Sequence, residues 1–258
     1  MTDWDARTYH RLSEPQLAWG RQVAGKLAPR PGERILDIGS GTGRLTSEVA
    51  ARVPEAIVVG LDVSHAMLTE ARRDAAQAHV AYVRGSAVSL PFAPSTFDAA
   101  FSAATFHWVL DHSVLFEQIH AALKPGGRLV AQCGGGPNLQ RLLDRTHALM
   151  DSAAYATFFQ GWHDPWHFAG VADTRERLMA AGFRDTDVSL EPAPTALPDA
   201  RAFGEFISCV CVRHHVDRLP AGERPRFIAQ LASAAAHDDP PFTLDYWRLN
   251  ISGVKGEA

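Results

Sequence analysis

The sequence predicts an α/β fold, a mostly parallel sheet with helices on both faces, and three observations predict it. Near-continuous apolar runs of strand length, such as Ile57-Val58-Val59-Gly60-Leu61, alternate with segments whose apolar residues recur at helical spacing. Strands of that kind are buried on both faces, as in parallel sheets. The third observation is Ile35-Leu36-Asp37-Ile38-Gly39-Ser40-Gly41-Thr42-Gly43, an apolar strand that runs into a glycine-rich turn and straight on into a helix-like segment from Arg44 to Val53. At 258 residues, 46% hydrophobic and 21% charged, the chain suffices for one such domain with insertions and needs neither disulfide nor metal to hold a core.

Taken in order, residues 13–28 read as a helix, with Ser13 as cap, Pro15 in the first turn and Leu17, Ala24 and Leu27 at helical spacing. Pro29, Pro31 and Gly32 stop it. Strands follow at Arg34–Ile38, Ile57–Leu61, Val80–Arg84, Phe97–Ser102 and Arg128–Cys133. The helices between them start at Arg44, at Ser64 (running through Ala78) and at Asp111 or Ser113, the last ending at Lys124-Pro125-Gly126-Gly127. After Cys133 the rhythm breaks at Gly134-Gly135-Gly136-Pro137. Asn138–Tyr155 reads helical, Phe158–Phe168 as an aromatic loop, Arg175–Ala181 as a helix and Thr186–Leu190 as a strand. Pro192–Pro198 is a linker, Ala200–Ala236 is helical with a break at Pro220-Ala221-Gly222, and Phe242–Val254 is one final strand.

The glycine turn narrows the ligand. A dinucleotide fingerprint needs a glycine five residues after Gly39, where Arg44 stands, and a P-loop needs Gly-Lys-Ser/Thr, which is absent. What remains is Asp37-x-Gly39-x-Gly41-x-Gly43 with a second acid, Asp62, ending the second strand, where a carboxylate can accept ribose hydroxyls. This pair of motifs resembles class I S-adenosylmethionine-dependent methyltransferases. The resemblance covers Trp4 to Gly136 well and the rest in outline. It implies a Rossmann-like seven-stranded sheet with the last strand antiparallel, plus helical cap insertions. The expected organisation is a single domain over 1–258, with a cofactor-binding core at about 30–136, 171–195 and 240–258 and a cap at about 137–170 and 196–238.

The same resemblance implies S-adenosyl-L-methionine as cofactor, with S-adenosyl-L-homocysteine as product. Asp37, Gly39, Ser40, Gly41 and Gly43 would meet its methionine portion, Asp62 its ribose, and Val63 and Met67 its adenine. Where the family has Gly-Asp-Ala before Leu-Pro-Phe, this chain reads Gly85-Ser86-Ala87, so an uncharged hydroxyl replaces the aspartate expected at the adenine amino group. Ala103 and Ala104, ending the fourth strand, border the crevice. Trp4-Asp5-Ala6, Tyr9, Gln16 and Trp19, with Thr105-Phe106-His107-Trp108, resemble the small-molecule subgroup around trans-aconitate methyltransferase. There Tyr9 would lie near the transferred methyl, and Trp4, Trp19 and Trp108 would line the substrate pocket. His107 is the one plausible general base near the crevice, with packing beside Trp108 as its plainer role.

Other features are weaker. Asp239-Pro240-Pro241-Phe242 imitates an amide-methylation motif but lies far out of order, so it reads as a turn. His163 and His167 lack a third ligand in view and read as packing residues, and Cys209 and Cys211 as small buried ones, so no metal is expected. A net charge of -4 with scattered Lys and Arg argues against nucleic acid as partner. The start lacks a signal-peptide pattern and no apolar run reaches membrane-span length, while three cysteines without a framework spacing suit a reducing compartment. The expectation is a cytoplasmic enzyme acting on a small molecule, with no membrane partner. An ionised carboxylate needs no base, so O-methylation of a carboxylate leads, and Arg201 or Arg213 is a candidate for pairing with it. The alternatives are a carbon or nitrogen acceptor on a quinone, polyketide or amine, and a non-catalytic cofactor-binding module.

Overall fold

The computed structural model describes residues 14–74 and 79–257. In chain order the elements are α1 (Glu14–Leu27), β1 (Arg34–Ile38), α2 (Arg44–Arg52), β2 (Ile57–Asp62), α3 (His65–Asp74), β3 (Val80–Arg84) and β4 (Phe97–Ala103). A single 3-10 turn at Phe106–Trp108 leads to α4 (His112–Ala122) and β5 (Leu123–Gly134), followed by α5 (Gln140–Met150), α6 (Val171–Ala180), β6 (Phe183–Pro192) and β7 (Thr195–Ala196). Then come α7 (Ala200–Phe206), a π-helical segment at Ile207–Cys211, α8 (Arg213–Arg218), α9 (Arg224–Ala235), β8 (Thr243–Leu244) and β9 (Trp247–Lys255). Two compact units result. The first takes in the described residues up to Gly136, Trp166–Glu191 and those from Arg248 on, and the second takes in Pro137–Pro165 and Pro192–Trp247.

The first unit is built on a seven-stranded sheet of order β3-β2-β1-β4-β5-β9-β6. Strands β1 to β5 pair in parallel and β9 runs antiparallel to β5, the arrangement expected from the sequence. Strand alternation sends neighbouring residues to opposite faces, and both faces are apolar. Ile35, Phe101 and Val130 join one core with Leu17, Leu27, Leu45 and Val49 of α1 and α2. Leu36, Ala100 and Leu129 join the other, with Leu115, Phe116 and Ile119 of α4 and Leu178 of α6. The order of strands reverses between β1 and β4, so a crevice opens beyond their carboxyl ends.

Local signals account for most boundaries. Asp111 caps α4 by accepting from Ser113 N (3.0 Å) and Val114 N (3.1 Å), and Ser64 Oγ accepts from Met67 N (3.2 Å) at the start of α3. Arg128 closes the base of the sheet by a bidentate pair with Glu33 (2.7 and 2.9 Å) and by donating to Leu27 O and Ala28 O. Several boundaries differ from the reading above, the helix expected at Arg175–Ala181 running Val171–Ala180 and the strand expected at Thr186–Leu190 running Phe183–Pro192. Strand β5 begins at Leu123, not Arg128, because Leu123 pairs with Phe97 across a register irregularity that absorbs Lys124–Gly127. The helix expected over Asn138–Tyr155 is confined to Gln140–Met150. The expected single final strand is two: Thr243–Leu244 pairs with Thr195–Ala196, inside the supposed linker, and the chain rejoins the large sheet only from Trp247. The cap read at Ser13 and the end of the helix after Asp74 lie outside the described residues.

In the second unit α9 packs on α7 and α5. Tyr155 and Phe227 meet edge to face at 5.1 Å, and Arg145 forms a two-pronged pair with Asp238. No helix among the described residues is long and apolar enough to cross a membrane.

Candidate active site

The glycine turn sits where β1 ends. Gly39, Gly41 and Gly43 all have positive φ (77°, 54° and 77°), which L side chains adopt with strain. Their reasons for being glycine differ. A Cβ on Gly39 would fall 2.1 Å from Thr105 Oγ1, and one on Gly43 2.3 Å from the Tyr82 hydroxyl, so both admit neighbouring side chains. A Cβ on Gly41 would meet nothing within 4 Å, so this glycine alone of the three faces open space. The turn is pinned to the end of β2. Gly39 N and Ser40 N donate to Leu61 O (2.7 and 3.0 Å), and Gly41 N donates to Asp62 Oδ2 (2.9 Å). Asp62 Oδ1 accepts from Ser64 N (2.8 Å), so this carboxylate fixes both the turn and the approach to α3.

One cleft gathers Asp37, Gly39, Ser40, Gly41, Ala103 and Ala104, six of the positions singled out in the sequence. Asp37 is 2% exposed and accepts from Thr46 Oγ1 (2.6 Å). Burial pushes its pKa up to about 7 against that hydrogen bond, and the nearby charge of Asp62 adds to the rise. Gln16, Leu17, Thr42, Arg44 and Leu45 complete the wall. Gln16 Oε1 and Ser40 Oγ are buried with no hydrogen-bond partner among the described residues. Helix α2 begins at Gly43 with no side-chain cap, and a helix N-terminus favours an anion. A buried carboxylate and two waiting acceptors on one side, and Arg44 with a helix N-terminus on the other, suit the ammonium and carboxylate of an amino acid.

The other expected positions are spread around this cleft. Met67 is buried, while Val63 is 59% exposed. Ser86 faces Ser89 in a single antiparallel bridge, its hydroxyl accepting from Val88 N (3.4 Å), and Ala87 packs at the edge of the core. Trp4 and Tyr9 lie outside the described residues.

His107 belongs to an aromatic group beyond β4, with Trp108 at 5.1 Å, Phe168 at 5.7 Å and Trp166 stacked on Phe168. Its Nδ1 accepts from Gly134 N (3.3 Å), which places the proton of the neutral ring on Nε2. Desolvation, with Arg248 and His112 acting in the same direction, lowers its pKa to about 3. A ring held there is a poor proton acceptor near neutrality, and the packing role noted in the sequence matches its surroundings. His167 donates its backbone N–H to His107 O (2.8 Å) and meets the His112 ring edge to face at 4.9 Å, a packing role. Cys211 is buried against the Tyr246 hydroxyl (3.2 Å), and burial pushes its thiol up to about 12. Arg201 lies 3.9 Å from Glu205, and Arg213 lies 3.4 Å from Asp217.

Arg248 was not legible as a site residue. It opens the sheet-bound part of β9 opposite Gly134 and is 4% exposed. Its Nε donates to Gln132 Oε1 (3.4 Å), and its guanidinium lies 4.3 Å over the Trp19 ring. The one signal in the sequence was a charged residue inside the mostly apolar run Tyr246–Ile251.

Comparison with known proteins agrees with this geometry. Residues 36–131 match the model of a methyltransferase domain. The chain is 30% identical over 235 residues to a trans-aconitate 2-methyltransferase of Paracidovorax citrulli, covering 89% of this chain and 87% of that protein. It is 29% identical to the trans-aconitate 2-methyltransferase of Methylobacterium nodulans, covering 93% and 92%. Its fold is similar to that of phosphoethanolamine N-methyltransferase 2 of Haemonchus contortus, solved with S-adenosyl-L-methionine, at a TM-score of 0.64 and 20% identity over 98% of this chain and 57% of that one. With the turn, the second acid and the sheet order in place, the chain belongs to the class I S-adenosylmethionine-dependent methyltransferases, in the trans-aconitate methyltransferase-like subgroup, and is an enzyme of that family.

Proposed function

We propose that the enzyme methylates a carboxylate oxygen of a small organic acid. The observation that carries this reading is Arg248, a buried guanidinium at the carboxyl-terminal end of β5, next to His107 and under Trp19. A planar guanidinium matches a carboxylate in two-pronged geometry. The relatives named for trans-aconitate, a carboxylic acid, support the same class of acceptor.

Bound S-adenosylmethionine supplies a methyl group already activated on sulfur, so the protein's work is binding, orientation and exclusion of water. Asp37, Gln16 and Ser40 would hold its ammonium, Arg44 and the open end of α2 its carboxylate, and Asp62 its ribose, with Gly41 leaving the space they converge on. Val63, Met67, Ser86 and Ala87 would border the adenine. Arg248 and Trp19 would orient the acid, and the aromatic group of His107 and Trp108 would keep its surroundings dry. An ionised carboxylate brings its own lone pair and has no proton to lose, which fits a neutral His107 whose pKa is about 3.

The test is product formation with labelled donor against small carboxylic acids (trans-aconitate among them), amines and phenols. Base-labile methyl esters are expected, and N-methyl or ring-methyl products in place of them would overturn the reading. Arg248→Lys should raise KM for the acid by about tenfold while donor affinity stays unchanged. His107→Gln should retain turnover, whereas a pH-dependent loss of about a hundredfold would make that ring a general base.

A further inference from the structure

The second unit holds a side-chain cluster that methyl transfer does not use. His147 on α5, Asp164 in the aromatic loop and His215 on α8 come from three separate segments and meet. Asp164 stands between the two rings, its Oδ2 3.0 Å from His147 Nε2 and its Oδ1 3.3 Å from His215 Nε2. The atoms these three residues can offer a metal all lie within 4.8 Å of one another. Imidazole nitrogen and carboxylate oxygen bind Zn2+ at about 2.0–2.2 Å, which sets ligand atoms about 3 Å apart. Two of the three separations therefore already have that size.

We infer that His147, Asp164 and His215 form a binding site for a divalent first-row ion of the Zn2+ type, with a coordination position open to the adjoining cavity. Two imidazoles and one carboxylate favour such an ion over Mg2+ or Ca2+, which prefer all-oxygen sites. The cavity has a volume of about 390 Å³, and His147, Asp164, His163, Trp162, Phe159 and Met150 are among its walls. A metal with two His and one acid bound keeps room for water or an anionic oxygen on that side, as catalytic zinc sites do. His163 is exposed on the same wall.

The surroundings suit ligation. Trp162 Nε1 donates to Asp164 Oδ1 (2.9 Å), and its ring lies 4.7 Å from that of His215, so one side chain orients two ligands. His215 is fully buried. The neighbouring Arg218 donates to Phe158 O and Gln160 O, and Arg213 pairs with Asp217.

The plain alternative is a hydrogen-bonded clasp that fastens the loop to two helices, and metal titration separates the two. Tag-free protein, stripped with chelator, is titrated with ZnCl2 by calorimetry and with CoCl2 by visible absorption. One ion per chain is expected, with a Co2+ band of the intensity of four- or five-coordinate sites and proton release on binding. His147→Gln and Asp164→Asn should each weaken Zn2+ binding by about tenfold or more, and Trp162→Phe by less. Donor affinity should be unchanged in all three, which also checks their fold. The absence of saturable one-to-one binding in the wild type overturns the site, as does binding that His147→Gln and Asp164→Asn leave intact. For a variant that loses its fold, the wild-type Co2+ spectrum decides, since it needs no substitution.

Discussion

Asp37 stands next to last in β1 with Thr46 as its donor, and burial holds its pKa near 7, above the ordinary 3.8. The fold therefore favours the protonated acid. That contribution is intact below about pH 4, falls away as pH rises toward 7, and is lost above it. Asp37→Asn removes this dependence, so its stability relative to wild type should grow from about pH 4 to pH 8, by at most about 4 kcal/mol. Thermal unfolding across that range checks it, and a difference independent of pH would reject the shift. An ammonium placed against Asp37 reverses the balance. Donor binding at about pH 6 should then release a proton and tighten toward pH 7. Calorimetry in two buffers of different ionisation enthalpy reads this directly, and equal heats would move the ammonium elsewhere. None of this could be read from the letter D at position 37, because the shift comes from burial and the nearby charge of Asp62, against the hydrogen bond from Thr46.

At the scale of elements, the glycine turn divides into two kinds of position. Gly39→Ala brings a Cβ into Thr105 at a strained φ, and should lower stability by about 2 kcal/mol or more. Gly41→Ala pays only the left-handed strain of about 1–2 kcal/mol, since nothing stands within 4 Å, but it narrows the space left for the donor. Melting temperature should fall further for Gly39→Ala. Gly41→Ala should lose donor affinity beyond what its small loss of stability explains, and equal effects in both assays would erase the distinction. The pattern Gly-x-Gly-x-Gly showed that backbone freedom was needed, not which glycine faced a side chain and which faced the ligand. The strands illustrate the same limit. Apolar runs placed β1, β2 and β4 closely, since each is largely covered on both faces whatever its partner, and β3 was found although it is a half-exposed edge strand. The stretch from Phe242 to Val254 read as one strand because its alternation continues through Asp245, yet Thr243–Leu244 and Trp247–Lys255 pair with different sheets. Alternation reports extended backbone, and the choice of partner is a long-range matter.

Over the whole molecule, a net charge of -4 without a basic run predicts that no stable complex forms with transfer RNA or duplex RNA at physiological salt. A gel shift checks this, and a complex that weakens steeply with salt would overturn it. The chain by itself determined the sheet architecture, the methyl donor and the family, because these rest on signals a few residues long: apolar runs, a glycine turn and an acid about 20 residues on. Only the tertiary structure decided what fills the rest of the site. Arg248 is over two hundred residues from Trp19 in the chain, and His147, Asp164 and His215 are drawn from three separate segments. Such groups carry no local spacing. Their chemistry appears when packing removes water, lowers His107, raises Asp37 and sets a guanidinium on an indole face, and those are properties of the folded neighbourhood, not of any stretch of sequence.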